Sequence, residues 1–165
     1  MAAYALLHMK DISRDIYLYD TYAGMAEPGD DDSTYGKSAM STWKRNQKGN
    51  INEWCYSPQE EVEKNLKSTG YPEDKLHFVK GKVEDSIPGT IPKSISLLRL
   101  DTDWYSSTRH EMIHLFPLVS KGGVVIIDDF GYWEGARKAI LEYFEEHDIH
   151  PLLHRIDGTG VVFHK

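Results

Sequence analysis

The chain has a single cysteine among its 165 residues, Cys55, so no intramolecular disulfide can form and a small bridged secreted scaffold is excluded. One thiol fits a reducing cytoplasm, with Cys55 expected as a half-buried structural residue. No apolar run approaches the ~18 residues of a membrane span. "MAAYALLHMK" lacks the length and flanks of a signal peptide. Basic residues are outnumbered, 19 Lys and Arg against 26 Asp and Glu, for a net charge of -7. A phosphate backbone needs a basic face that this composition does not supply, so nucleic acid is not an expected partner, and neither is a membrane. Eight histidines are present, yet no pair has the companions that a zinc site needs. His110 and His114, at i and i+4 in "HEMIH", are read as surface helix residues. His154 in "LLHRIDGTG" either lines a cleft or packs at a strand end.

What the chain does have is alternation. Short apolar runs alternate with helical periods, which predicts an α/β fold with a mostly parallel sheet. Strands are expected at residues 16–20, 76–80, 94–101, 123–128, 150–155 and 160–164. "SPQEEVEKNL" predicts a helix with Ser57 as N-cap, Pro58 at the first helical position and Glu60 completing a capping box, closed by Gly70. The spacing of Met112, Leu115, Phe116 and Val119 predicts a second helix over 107–120, stopped by Gly122 and Gly123. Ala136, Ala139, Ile140 and Tyr143 predict a third over 133–147. With 40% hydrophobic residues, one core and one domain over 1–165 are expected. The segment 27–56, rich in Gly, Ser, Asn and Asp, is expected as a lid-like insertion covering a substrate.

In open parallel sheets, ligands sit outside the carboxyl ends of the strands, so acids that terminate apolar strands are the first candidates. "IYLYD" ends at Asp20, "SLLRLDTD" at Asp101 with Asp103 beyond, and "VVIIDDF" at Asp128 and Asp129. If the Asp101 and Asp128 strands are parallel neighbours, their ends lie about 5 Å apart. Converging carboxylates raise one another's pKa, and a hard divalent cation such as Mg²⁺ or Ca²⁺ removes the conflict. Asp101, Asp128 and Asp129 are therefore the candidate metal ligands. Capping of the following turn is the plainer reading of either strand-terminal acid, and Asp103 reads as a surface residue. Asp20 is a candidate partner for the ribose hydroxyls of an adenosine-containing cofactor, or else a turn cap in "YDTYAG".

"YLYDTYAGMAEP", "LLRLDTDWYSSTRHEMIHLFPLVSKGGVVIIDDFGYWEGARKAILEYF" and "LLHRIDGTGVVF" together resemble the macrocin O-methyltransferase family over nearly the whole chain. That resemblance implies a Rossmann-like class I methyltransferase sheet, mostly parallel with an antiparallel last strand. It implies S-adenosylmethionine as cofactor and an acidic triad, Asp101, Asp128 and Asp129, holding Mg²⁺. It further implies Asp101 as general base, Asp20 at the ribose and a sugar-like small-molecule hydroxyl as methyl acceptor.

The resemblance also implies a further N-terminal region with the first, central strand and its Gly-rich turn. No GxGxxG-like loop precedes Asp20, and weakened or absent cofactor binding is an expectation that follows. Losing a central strand leaves two rows of backbone groups unpaired, which favours direct pairing of the remaining strands or a homo-oligomer. Three functions stay open: a Mg-dependent O-methyltransferase, a truncated relative acting as a metal-binding or oligomerising module, and a different metal-dependent reaction on an adenosine-containing ligand.

Overall fold

The computed structural model describes residues 1–165. In chain order its elements are α1 (Ala2–His8), β1 (Ile16–Asp20), β2 (Ser33–Thr34), β3 (Lys37–Ser38), α2 (Met40–Asn46), β4 (Gln47–Lys48), β5 (Ile51–Asn52), α3 (Gln59–Lys67), β6 (Leu76–Lys80), α4 (Val83–Ser86), β7 (Ile95–Leu100), α5 (Tyr105–His114), β8 (Val119–Ile127), α6 (Glu134–Glu146), β9 (His154–Arg155) and β10 (Val161–His164). No helix is long and apolar enough to cross a membrane. Two compact units form, one from Met1–Ala26 and Asn46–Lys82, the other from Glu27–Arg45 and Val83–Lys165. The insertion expected over 27–56 is thus shared between them.

In the first unit β1 and β6 pair in parallel, from Ile16 beside Leu76 to Asp20 beside Lys80. Ile16, Leu76 and Phe78 pack with Ala3, Leu6 and Leu7 of α1 and with Leu66 and Tyr71. The Tyr71 hydroxyl donates to the Arg14 carbonyl at 2.7 Å, so its buried polar tip is satisfied. Helix α3 starts one residue later than the capping box predicted: Pro58 is its N-cap, extended at φ -67 and ψ 145, and no side chain caps it. Gly70, at φ 79, follows the helix as expected.

The second unit holds a four-stranded sheet in the order β7, β8, β10, β9. β7 and β8 are parallel, and β10 runs antiparallel to both β8 and β9. Leu98 and Leu100 alternate with exposed neighbours on β7, and Val125 and Ile127 do the same against half-buried ones on β8. These four are buried, as are Met112 of α5, Ala139 and Ile140 of α6 and Phe163 of β10. Burying each large side chain contributes roughly 1.5–3 kcal/mol. Phe144 meets Phe163 edge-on at 5.4 Å, seating α6 on the last strand.

Three expected bounds shift here. Helix α5 ends at His114 because Pro117 cannot continue the hydrogen-bond ladder. The chain turns through Phe116–Leu118 and already enters β8 at Val119. Gly122 and Gly123 therefore do not stop a helix. They sit where the β7–β8 register breaks, between the Ile95–Val119 and Leu97–Val124 pairs. The strand expected over 150–155 contracts to β9, since Pro151 lacks a ladder donor. Within the first unit β1 bonds only to β6, and within the second β7 bonds only to β8.

Part of the supposed lid is pinned. Asp32, 1% exposed, accepts from the Tyr105 N–H and the Gly29 N–H, each at 2.7 Å. It thereby caps α5 from a distant segment, where the helix's own N-cap, Trp104, has no side-chain acceptor to offer. Asp31 pairs with Lys138 at 2.7 Å, while Ser33 Oγ and the Gly36 N–H both reach Glu134. Gly135 is the point of closest approach, because a Cβ there would stand 2.1 Å from Asp32 Oδ1. Gly135→Ala is expected to lower unfolding free energy by about 1–3 kcal/mol, as overpacking does. Gly158→Ala, with nothing within 4 Å of its added Cβ, is the neutral control in the same guanidinium titration.

Candidate active site

The register of β7 and β8 ends with Leu100 opposite Ile127. The next residues, Asp101 and Asp128, leave the sheet side by side, and the Asp128 N–H still donates to the Leu100 carbonyl at 3.0 Å. Successive side chains alternate across a strand, which places Arg99 on the same face as Asp101 and next to Ile126 and Asp128. Its guanidinium bridges the two acids, 2.7 Å from Asp101 Oδ2 and 2.9 Å from Asp128 Oδ1.

Asp103 lies in a tighter bend. The Trp104 N–H donates to the Thr102 carbonyl at 2.8 Å and Asp103 has φ 69, which defines a γ-turn of the rare positive-φ kind. Strain of this type costs on the order of 1–3 kcal/mol and concentrates at functional sites. Here it brings Asp103 into the cluster. Carboxylate oxygens of Asp101, Asp103 and Asp129 all lie within 4.8 Å of one another. Asp103, read from sequence as a surface residue, is a member. Asp128 stands outside this threesome, held by Arg99.

The crowding has an electrostatic signature. Burial, then a hydrogen bond with Asp128, pushes the Asp101 carboxyl well above the usual carboxylate range, against the opposing pull of Arg99. Burial and a hydrogen bond with Asp129 push Asp103 up further. Either a shared proton or a cation relieves such pairs. Three clustered carboxylate oxygens fit a hard divalent ion, whose remaining positions water or a substrate hydroxyl can fill. Trp104, next to Asp103 in the chain, and Trp133 meet edge-on at 4.9 Å, and both are buried.

"HEMIH" does spell the H-E-x-x-H pattern of zinc proteases, and the fold takes it apart. Glu111 turns into the core, where the Thr102 hydroxyl donates to its Oε2 at 2.8 Å. His110 Nε2 sits 2.8 Å from the Ile87 carbonyl, and its ring lies 4.4 Å from that of His114, so both are partly covered and not simple surface residues. No third ligand joins them. His154 lies exposed on β9. Cys55 is exposed, at φ 53, and not half-buried as expected.

In the first unit, Asp20 terminates β1 and its Oδ1 accepts from the Tyr22 N–H at 2.5 Å, the turn-capping arrangement. The side chain remains exposed. The turn is braced against β5: Asn52 donates its N–H to the Ala23 carbonyl at 2.7 Å, and a Cβ on Gly24, at φ +84, would collide with the Asn52 carbonyl. Only glycine fits there.

A parallel strand pair ending in acids, crossover helices and an antiparallel last strand are the architecture of the class I methyltransferases. A solved structure of the O-methyltransferase NovP matches with a TM-score of 0.82 and 28% identity, covering 97% of this chain and 63% of that one. The calicheamicin methyltransferase CalS11 matches with a TM-score of 0.63 at 17% identity over 98% of this chain and 65% of its own. The family described as Macrocin-O-methyltransferase matches residues 1–165, and the chain belongs to it. Among curated relatives, the 8-demethyl-8-(2,3-dimethoxy-alpha-L-rhamnosyl)-tetracenomycin-C 4'-O-methyltransferase of Streptomyces olivaceus is 32% identical over 92% of this chain. The demethyldecarbamoylnovobiocin O-methyltransferase of Streptomyces niveus is 29% identical over 97% of it. The chain spans 55% and 59% of the lengths of these two relatives.

Burial raises the Glu111 pKa from 4.5 to about 8. With the folded value above the unfolded one, the neutral form is favoured in the fold. The stability it confers is complete below pH 4.5 and is lost as pH rises through 8. Glu111→Gln keeps an acceptor for Thr102 and removes the titration. The variant is expected to flatten the fall in melting temperature over that window and to melt about 5 °C higher at its alkaline end, the shift that ~1–2 kcal/mol produces in a chain this size. Parallel melting curves for parent and variant across pH would reveal no such crossover if Glu111 were ionised in the fold.

Proposed function

We propose that this chain carries the catalytic end of an O-methyltransferase that uses S-adenosylmethionine and a divalent cation, Mg²⁺ first among them, to methylate a hydroxyl of a sugar-like small molecule. The observation that carries the reading is the cluster of Asp101, Asp103 and Asp129 on parallel strand ends in a chain of this family. The sugar-like acceptor rests on the relatives, one of which is named for a rhamnosyl-bearing substrate.

S-adenosylmethionine supplies the methyl group when bound, and the cation supplies positive charge that neutralises the acids and favours an ionised acceptor hydroxyl. Asp101, Asp103 and Asp129 would hold the cation, and Asp128 stands beside them, paired with Arg99. Asp101 would take the acceptor's proton as general base. Asp103 is the second reading for the base, favoured by the strained turn that presents it. Asp20, whose Oδ1 accepts from the Tyr22 N–H, would bind the ribose hydroxyls. The segment Glu27–Arg45, pinned by Asp32 in the same unit as the acids, forms part of the acceptor's surroundings.

The test is incubation of the chain with S-adenosylmethionine and a rhamnosylated acceptor, with and without Mg²⁺, reading methyl addition by mass spectrometry. Methylation that depends on Mg²⁺ is expected. Asp101→Asn and Asp103→Asn separate the two bases: the true base loses about 100-fold or more in turnover with cofactor affinity retained. Absence of product together with absence of cofactor binding in calorimetry would sink the reading for this chain.

A further inference from the structure

Arg99 is the one cationic side chain that ion-pairs with the acid cluster's strand ends. It does not clasp a single carboxylate in the two-pronged manner that gives arginine its strongest pairs. One arm goes to Asp101 Oδ2 at 2.7 Å and the other to Asp128 Oδ1 at 2.9 Å, across two adjacent strands. Its side chain is 52% exposed, so it can swing away without leaving a buried charge. The two acids it holds are the pair delivered by the last register match, Leu100 with Ile127. The three acids within ligating distance of one another include only one of them.

We propose that Arg99 is a resident counter-ion that competes with the divalent cation, lowering its affinity and withholding Asp128 from the ligand set. This rests on the metal reading above. The physics has two parts. A fixed positive charge a few Å from a cation site lowers the site's affinity by repulsion, moderated here by exposure to solvent. In addition, each carboxylate oxygen engaged by a guanidinium is one that ligation must first free. Both effects push the same way, so removing Arg99 tightens cation binding. The opposite sign belongs to a positioning role, in which the arginine would orient Asp101 for the ion and its loss would weaken binding. The two roles make opposed predictions.

The experiment is a Mn²⁺ titration of the full chain at neutral pH and low ionic strength, with free ion counted by electron paramagnetic resonance. Arg99→Gln is expected to bind Mn²⁺ about tenfold tighter than the parent, the size of one partly screened charge at this range. Arg99→Met repeats the test with a different side-chain shape, and circular dichroism confirms that both variants fold. Asp128→Asn is expected to change affinity less than about twofold in the parent, where Arg99 holds that acid, and about tenfold in the Arg99→Gln background. Equal or weaker Mn²⁺ binding by both Arg99 variants overturns the inference. Asp129→Asn separates the two levels: if it leaves Mn²⁺ affinity unchanged, the metal reading falls and this inference with it. If it weakens binding while the Arg99 variants do not tighten it, only the inference falls.

Discussion

Four carboxylates, Asp101, Asp103, Asp128 and Asp129, leave two neighbouring parallel strands within a few residues of each other, and the rest of the second unit is arranged around that repulsion. The strand register makes the crowding unavoidable, because Leu100 opposite Ile127 puts Asp101 beside Asp128 whatever the side chains prefer. One guanidinium, Arg99, offsets part of the charge. Burial and the neighbouring acids push the Asp101 and Asp103 carboxyls upward, with Arg99 pulling against the rise at Asp101. The neighbouring elements are tied down by specific contacts. Trp104 and Trp133 pack edge-on directly after the acids, and Asp32 locks the start of α5 from outside the helix. A charge-dense site on a soft scaffold would relax by splaying its acids into solvent.

Much of this was legible in the sequence, for a reason that can be stated. Apolar runs ending abruptly in Asp are a local pattern, and parallel pairing of consecutive strands is a strong topological default, so Asp101, Asp128 and the β7–β8 pairing follow without long-range information. Arg99 was missed, although a signal for it was present. "LRLD" alternates, so Arg99 and Asp101 share a face, and the register does the rest. Asp103 was not legible, since its place depends on a positive-φ γ-turn that no residue preference announces. The helix bounds failed where a single residue overruled periodicity: Pro117 ended α5 early, although Phe116 and Val119 kept the helical rhythm.

"HEMIH" marks the limit of motif reading. The letters satisfy a zinc-protease pattern, but a motif names ligands only when their side chains point to one place. On α5 the glutamate belongs to the buried face and donates nothing to the histidines' side, because the helix presents Glu111 together with Thr108 and Met112 to the core. The same glutamate then has a different use. Its carboxyl receives the hydroxyl of Thr102, the residue between Asp101 and Asp103, and so ties the acid-bearing loop to the helix interior.

The acids themselves are hard to account for as structural residues. A strand end can be capped by one Asp or Asn, as Asp20 caps its own turn through the Tyr22 N–H. Additional carboxylates add no backbone hydrogen bond that a neutral Asn could not make, yet each adds repulsion and desolvation. A fold selected only for stability would therefore trade most of them away. Arg99 does not remove the difficulty, since a single positive charge, half exposed to solvent, stands among four acids. Under the proposed function a further cation of higher charge would balance the set, and carboxylate oxygens of Asp101, Asp103 and Asp129 stand within 4.8 Å of one another.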